Sequence, residues 1–420
     1  MSIRRVLFLG LGHLSNGDLS IAADFARQLP PDRFKVAFVT SAAAAAYVRA
    51  TGLLVHPLAS RSPERNLETF DRLVEAFRPD LFVAADAYTL YYSTAWSGLS
   101  LPLLRERYDV ALASFDQYDY AAAGYAVDFY GGHRTRFPRL LDDCDLLIRN
   151  SPLNRPAPSE PGVIVTRMVC GGSSPLAVTR PHRDPPTVFL TNSRWEYVNV
   201  VHSPAMGQLM IAMPRILHSH LAALDRPLRV VHVGPERWEF PVAPQLDYRY
   251  APGLPPAEFH AQLAGADLYI TGNAVSVTLT QAVLAGVPCL LLDNHKMLDL
   301  ARLTANGSAP AWLRQAAPEL SVAYPYRVYP WGWHHFLTPV LSDNPYVDCF
   351  LSAGIFERRR VLAAMTQLLD DAATRDGLAE RQAVLLKRLD ELPPAGDALD
   401  SARLACRSGR QKKERHDRAR

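Results

Sequence analysis

The sequence predicts an α/β protein of two similar domains, each a parallel sheet covered by helices, facing one another. Three observations predict it. Short apolar runs of strand length alternate with segments whose apolar residues recur at helical spacing, as in βα units with strands buried on both faces. The alternation occurs twice, on either side of a proline-rich passage from 151 to 186. A length of 420 residues accommodates two or three domains at roughly 150 residues each.

In the first series, Val6-Leu-Phe-Leu9 is a strand closed by Gly10-Leu-Gly12-His13, Leu19 to Leu29 is a helix, and Lys35 to Thr40 is a strand. An amphipathic helix over Asn66 to Phe77 precedes a strand ending at Asp86. Asp109 to Asp116 and Cys144 to Arg149 repeat that strand pattern. In the second series, strands are expected at 187–191, 228–233, 266–270 and 288–292, with helices at 205–224, 257–263 and 278–284. An aromatic, proline-rich insertion at 324–350 breaks the rhythm, and two more helices follow at 357–369 and 375–389. The expected domains are therefore 1–180, 187–355, a helical end at 356–404 and a basic tail at 405–420.

Composition narrows the function. Hydrophobic residues make up 48% and charged residues 21%, so the chain is globular and not disordered. Forty-five Lys and Arg against 42 Asp and Glu give +3, too balanced for a nucleic-acid-binding face, and much of the surplus sits in the tail. That tail reads as solvated, and binding to a membrane surface is not expected. Five scattered cysteines without a CxxC pair argue against a disulfide framework or a cysteine-built zinc site and suit a reducing, cytoplasmic setting. The start of the chain does not resemble a secretory leader. The uncharged stretch Leu268 to Leu292 holds Asn273, Gln281 and Pro288 and reads as strand, turn, helix and strand. No metal site is expected, since no HxxxH or carboxylate cluster has the spacing, and adjacent His334 and His335 diverge. His232, flanked by valines, reads as a packed core histidine.

In parallel α/β sheets the functional edge lies at the strand C-termini. His13 stands there, where an imidazole can take a proton from a bound hydroxyl. Asp86 ends a strand on the same edge and could orient that ring, with Asp116 as the runner-up; both compete with a capping role. In the second series the segment from Ala266 to Pro288 runs strand, small polar turn, helix, then Ala-Gly-Val-Pro. Small residues at Ala274, Ser276 and Thr278 let a phosphate approach the helix start, where free N–H groups favour it. Gln281 lies one turn further in. Arg194 ends the first strand of this series, and a guanidinium there could neutralise a diphosphate.

This segment resembles the donor-nucleotide motif of GT-B glycosyltransferases, of the family-one antibiotic type and its lipid-disaccharide relatives. In that resemblance Asn273 stands at the family's histidine, Ser276, Val277 and Thr278 fall in the diphosphate turn, and Gln281 takes the place of the ribose-binding Glu. Gly12-His13 resembles the catalytic Gly-His, Val83 to Ala87 the strand end carrying its aspartate, and Leu254-Pro255 the segment that cradles the nucleobase. Asn192, Arg194 and Gly234 would border the donor, and Gly12, Asn16 and Tyr88 the acceptor. The chain departs from the family in placing Ala274, Val275 and Val277 where glycines stand, and in having Asp293 to Lys296 near the place of the Asp-Gln pair that grips the donor sugar.

The resemblance implies a GT-B fold, two Rossmann-like domains across a cleft, and transfer of a sugar from a nucleotide-diphosphate donor to a small natural-product hydroxyl or amine. It implies no cofactor, the nucleotide sugar being a substrate, and no metal; stereochemistry is open, and a histidine base with no covalent nucleophile points to inversion. The partners expected are the donor and the acceptor, and a homodimer is compatible with the sequence. Two other readings share the fold: a nucleotide-sugar 2-epimerase, and a degenerate protein that acts as a partner or ligand sensor.

Overall fold

A computed structural model describes residues 3–12, 17–121, 123–129, 133–150, 162–167, 184–192, 204–326 and 333–402. His13, Asn16, Arg194, the tail from 405 and most of the 151–186 passage lie outside the described residues. Two compact units are present. The first comprises Met1–Ala121, Pro138–Gly172 and Lys387–Arg420; the second comprises Ala122–Phe137 and Ser173–Leu386.

The first unit contains β1 (Arg4–Gly10), β2 (Phe34–Ser41), β3 (Val55–Leu58), β4 (Leu81–Ala84) and β5 (Ala111–Phe115). The chain then forms a hairpin, β6 (Ala126–Phe129) and β7 (His133–Arg136), that belongs to the second unit, and returns as β8 (Leu146–Arg149) and β9 (Val163–Val165). Seven strands form a fully parallel sheet in the order β3-β2-β1-β4-β5-β8-β9. Its helices are α1 (Gly17–Arg27), α2 (Ala45–Ala50), α3 (Pro63–Phe77), α4 (Ala87–Ser97) and α5 (Leu101–Arg107). Phe8 of β1 stacks on its register partner Phe38 of β2 with centroids 4.8 Å apart, and Phe25 of α1 meets Phe8 and Phe115 edge-on. All four rings are fully buried, each contributing about 1.5–3 kcal/mol.

The second unit contains β10 (Thr187–Thr191), α6 (Pro204–Ala222), β11 (Leu228–Val233), β12 (Leu246–Ala251), α7 (Pro256–Ala264), β13 (Leu268–Thr271), α8 (Val277–Leu284) and β14 (Cys289–Asp293). After these come β15 (Leu298–Asp299), α9 (Leu300–Ala305), α10 (Ala311–Ala316), β16 (Val322–Ala323), α11 (Trp333–Leu341), β17 (Leu351–Gly354), α12 (Arg358–Asp370) and α13 (Ala372–Asp390). Six strands form a second parallel sheet, β12-β11-β10-β13-β14-β17. Among the described residues no helix is long and apolar enough to cross a membrane.

Three features differ from the sequence expectation. Residues 87–97 form a helix although their mixed aromatic and hydroxyl pattern carries no helical period. The ends determine it: Asp86 accepts the Thr89 N–H as N-cap, and Gly98 closes the helix at φ 76°, a conformation that suits glycine. The segment after 387 groups with the first unit and not with a separate helical end. Arg33 pairs with Asp397 and Asp400 at 2.9 and 3.0 Å, Arg4 donates to the Leu399 carbonyl, and Ala395 and Leu399 are fully buried. The aromatic insertion is partly core: Tyr326 and Tyr346 are buried in the second unit, Tyr346 sharing a hydrogen bond with Thr280 of α8 at 3.2 Å.

Candidate active site

A doubly wound sheet has one place where successive connections leave in opposite directions, opening a crevice at the strand C-termini. In the first sheet it lies between β1 and β4, in the second between β10 and β13. Gly12 and Asp86 line the first crevice, and Asn192 lines the second.

At the first crevice β1 ends in Gly10-Leu-Gly12 and β4 in Ala85-Asp86. A Cβ on Gly10 would crowd the end of the Leu19 side chain, and one on Gly12 the methyl of Thr89, so the two glycines keep the strand end close to α1 and α4. A small cavity remains here, lined by both glycines, Asp18, Ala85, Asp86 and Thr89. Asp86 is 6% exposed, and Thr89 donates its N–H to Asp86 Oδ1 at 2.5 Å. The Thr89 hydroxyl donates to Asp18 Oδ2 at 3.0 Å, and Gln117 Nε2 donates both to Asp18 Oδ1 and to the Ala85 carbonyl, each at 3.1 Å. Two carboxylates thus flank one threonine. Burial first, and then the charge of Asp18, pushes Asp86 up to about 7; burial also raises Asp18.

The runner-up Asp116 is engaged elsewhere. It is buried, accepts from Arg149 Nε at 3.1 Å and caps the Tyr120 N–H at 3.1 Å, while Arg149 reaches Asp119 at 2.9 Å with its second nitrogen. Burial raises its proton affinity against the opposing arginine. Tyr88 is buried, its hydroxyl donating to the Pro138 carbonyl at 2.7 Å and its ring lying 4.5 Å from that of Tyr120. His13 and Asn16 lie outside the described residues.

At the second crevice, the turn after β13 satisfies itself. Asn273 donates its N–H to Thr271 Oγ1 at 3.1 Å, its side-chain Oδ1 accepts the Val275 N–H at 3.0 Å, and its carbonyl accepts the Ser276 N–H at 3.2 Å. Asn273 is 3% exposed, and Ala274 and Val275 are buried beside it. Its carboxamide therefore shapes the turn. Ser276 is the N-cap of α8 but makes no side-chain capping bond, so the amides of Val277, Thr278 and Leu279, which have no acceptor within the helix, gain none from its cap. Gln281 is buried on the packed side of α8 and held by other groups.

Across the crevice Asn192 follows β10, its Oδ1 accepting from His232 Nε2 at 2.6 Å, while Tyr248 donates its hydroxyl to His232 Nδ1 at 2.7 Å. Burial lowers His232 to about 4, so the ring is neutral and structural. A Cβ on Gly234 would crowd both Asn192 Oδ1 and the Asn192 carbonyl oxygen, so glycine leaves room for that residue. A cavity opens between this edge and α6, with Thr191, Asn192, Thr271 and Gly272 at its polar side and Met210, Leu217, Trp238 and Ile270 at its apolar side. Leu254 is partly buried and Pro255 exposed at the start of α7. Arg194 lies outside the described residues.

Sequence reasoning missed Asp18, Thr89 and Gln117. Asp18 was legible as an acidic residue in the first turn of a helix that leaves the glycine loop; Thr89 and Gln117 carry no pattern and become visible only once β1, β4 and β5 are neighbours.

The profile of a family described as "Family of unknown function (DUF6365)" matches residues 25–409. The chain belongs to that family. No curated protein matches this DUF6365 sequence. Among solved structures its fold is similar to that of spinosyn forosaminyltransferase SpnP, 15% identical over 96% of this chain and 100% of that one, with a TM-score of 0.54. It is similar also to spinosyn rhamnosyltransferase SpnG complexed with thymidine diphosphate, 12% identical over 94% and 99%, TM-score 0.53. The glycotransferase of kitacinnamycin is 14% identical over 97% and 99%, with a TM-score of 0.54. The DUF6365 chain has the GT-B fold.

Proposed function

We propose that this protein is a glycosyltransferase that moves a sugar from a nucleotide-diphosphate donor to a hydroxyl or amine of a small natural product, with inversion. The observation that carries the reading is the start of α8, at the switch point of the second sheet, left uncapped by Ser276. Main-chain N–H groups and the helix dipole there favour an anion, and a leaving diphosphate develops negative charge as its bond to the sugar breaks. The similarity to a fold that holds thymidine diphosphate in one structure and a spinosyn aglycone in another supports these two partner kinds.

The acceptor would meet the first unit at the β1–β4 crevice. His13, oriented by Asp86, would take the proton as the acceptor O–H bond breaks. The oxygen's electron pair forms the new bond to the sugar carbon, and the old carbon–oxygen bond breaks with its pair leaving on the diphosphate. One displacement without a covalent enzyme intermediate inverts that carbon.

A panel of UDP-, dTDP- and GDP-sugars incubated with macrolide and aromatic aglycones, read by mass spectrometry, tests the reading. Acceptor gains one sugar mass while one nucleotide diphosphate is released per product. Sugar changed by enzyme and donor alone would mark an epimerase instead. The self-satisfied turn at 273–276 favours a second reading, a ligand sensor, for which nucleotide binds and no product forms with any pair.

A further inference from the structure

Two carboxylates share the crevice of the first unit, and a single general base needs only one. Asp18 stands on α1 and Asp86 caps α4, yet both are held by Thr89, which gives its N–H to one and its hydroxyl to the other. Gln117 fixes Asp18 from the far side while anchored to the Ala85 carbonyl beside Asp86. The glycines at 10 and 12 let α1 and α4 approach the strand end closely enough for this contact.

We propose that Asp18 is a positioning residue for the acid–base group of transfer, coupled to Asp86 through Thr89 so that the two carboxylates bind one proton in common. The inference rests on the transferase reading and deepens it. Like charges in one poorly hydrated pocket cannot both ionise as easily as either alone, and the pair titrates as a unit. The doubly ionised pair is then the form that supports proton removal from the acceptor, whether an imidazole relays the proton or Asp86 receives it. The acceptor O–H bond breaks with its proton leaving toward the pair, the oxygen's electron pair forms the new bond to the sugar carbon, and the sugar–diphosphate bond breaks with its pair leaving on the diphosphate.

The groups that face the pair are few. Tyr92 of α4 and Tyr120 beyond β5 lie within the field of Asp86, and Tyr118 within that of both carboxylates. Tyr88 on α4 turns its backbone N–H toward Asp86, while its buried hydroxyl is bound to Pro138. The β1 edge contributes Leu9, Gly10, Leu11 and Gly12. Among the described residues no lysine, arginine or histidine forms an ion pair with either carboxylate, and the leading charge on Asp86 is that of Asp18. Removing the Asp18 charge therefore removes the like charge that Asp86 feels, and the proton affinity of Asp86 must fall.

The test is Asp18→Asn on the full chain, read by carboxyl carbon NMR titration and by the pH profile of turnover. The expected result is an Asp86 titration lowered by at least about one pH unit, roughly tenfold in proton affinity. The acid limb of turnover moves down with it, the affinity for dTDP does not change, and Asp18→Glu restores the wild-type profile. If the asparagine variant does not fold, Asp18→Ser takes its place with the same expectation. An Asp86 titration that stays within about 0.3 pH units in the neutral variant overturns the inference. A titration that moves as expected in a protein forming no glycosylated product upholds the pair and counts against the transferase reading alone.

Discussion

Replacing His13 by alanine should lower turnover about 10²–10⁴-fold, the range for losing a positioned general base, and should leave affinity for the nucleotide diphosphate unchanged. In the sequence the residue follows Gly12, and Gly12 and Asp86 line one cavity at the β1–β4 edge. The amides expected to hold the diphosphate belong to the other unit, at the start of α8. Catalysis and donor affinity therefore separate in this variant. Steady-state kinetics together with calorimetric titration of dTDP measure both; turnover within a factor of three of wild type removes His13 from the mechanism.

Asp86→Asn is the second large effect and the more diagnostic one, because it parts two roles of one side chain. As N-cap of α4 the carboxylate holds the Thr89 N–H, and asparagine caps a helix about as well as aspartate. The helix and the fold should persist, with thermal unfolding near the wild-type midpoint. The charge is gone, however, and with it the group that would orient the base and stabilise its protonated form. Turnover should fall at least about 10²-fold across the pH range. Asp86→Ala should lose the cap as well, costing about 1 kcal/mol of stability. Asp116→Asn, by contrast, should act through stability, since that carboxylate already pairs with Arg149 and caps Tyr120. Equal loss of turnover and stability in Asp86→Asn would reduce Asp86 to a structural cap.

The sheets were legible in the sequence because their strands are continuous apolar runs, and parallel strands buried on both faces write themselves that way. Asp86 and Asn273 were legible for the same reason: each follows such a run. What could not be read was the use to which a residue is put after the turn closes. Asn273 spends its carboxamide on Val275 and its carbonyl on Ser276, a local Asx turn that a motif comparison does not distinguish from a ligand contact. Gln281 matches the place of a ribose-binding residue yet is buried. The helix at 87–97 was hidden because its caps, not its periodicity, define it. The Asp18–Thr89–Asp86 network spans 71 positions between Asp18 and Thr89, a proximity that only the β1–β4 pairing creates. The return of 395–402 to the first unit depends on Arg33 reaching Asp397 and Asp400, and no local pattern announces such pairs.

The central claim, that the open start of α8 receives a diphosphate, is tested most directly by calorimetric titration of dTDP into the wild-type chain and into Thr278→Glu. Thr278 sits in the first turn, partly exposed, and a carboxylate there competes for the same amides and repels the phosphates. The expected result is binding to the wild type and at least a roughly tenfold weaker affinity in the variant, a difference of about 1.4 kcal/mol. Equal affinity in the two proteins, or no binding to the wild type by dTDP, UDP or GDP, would contradict it.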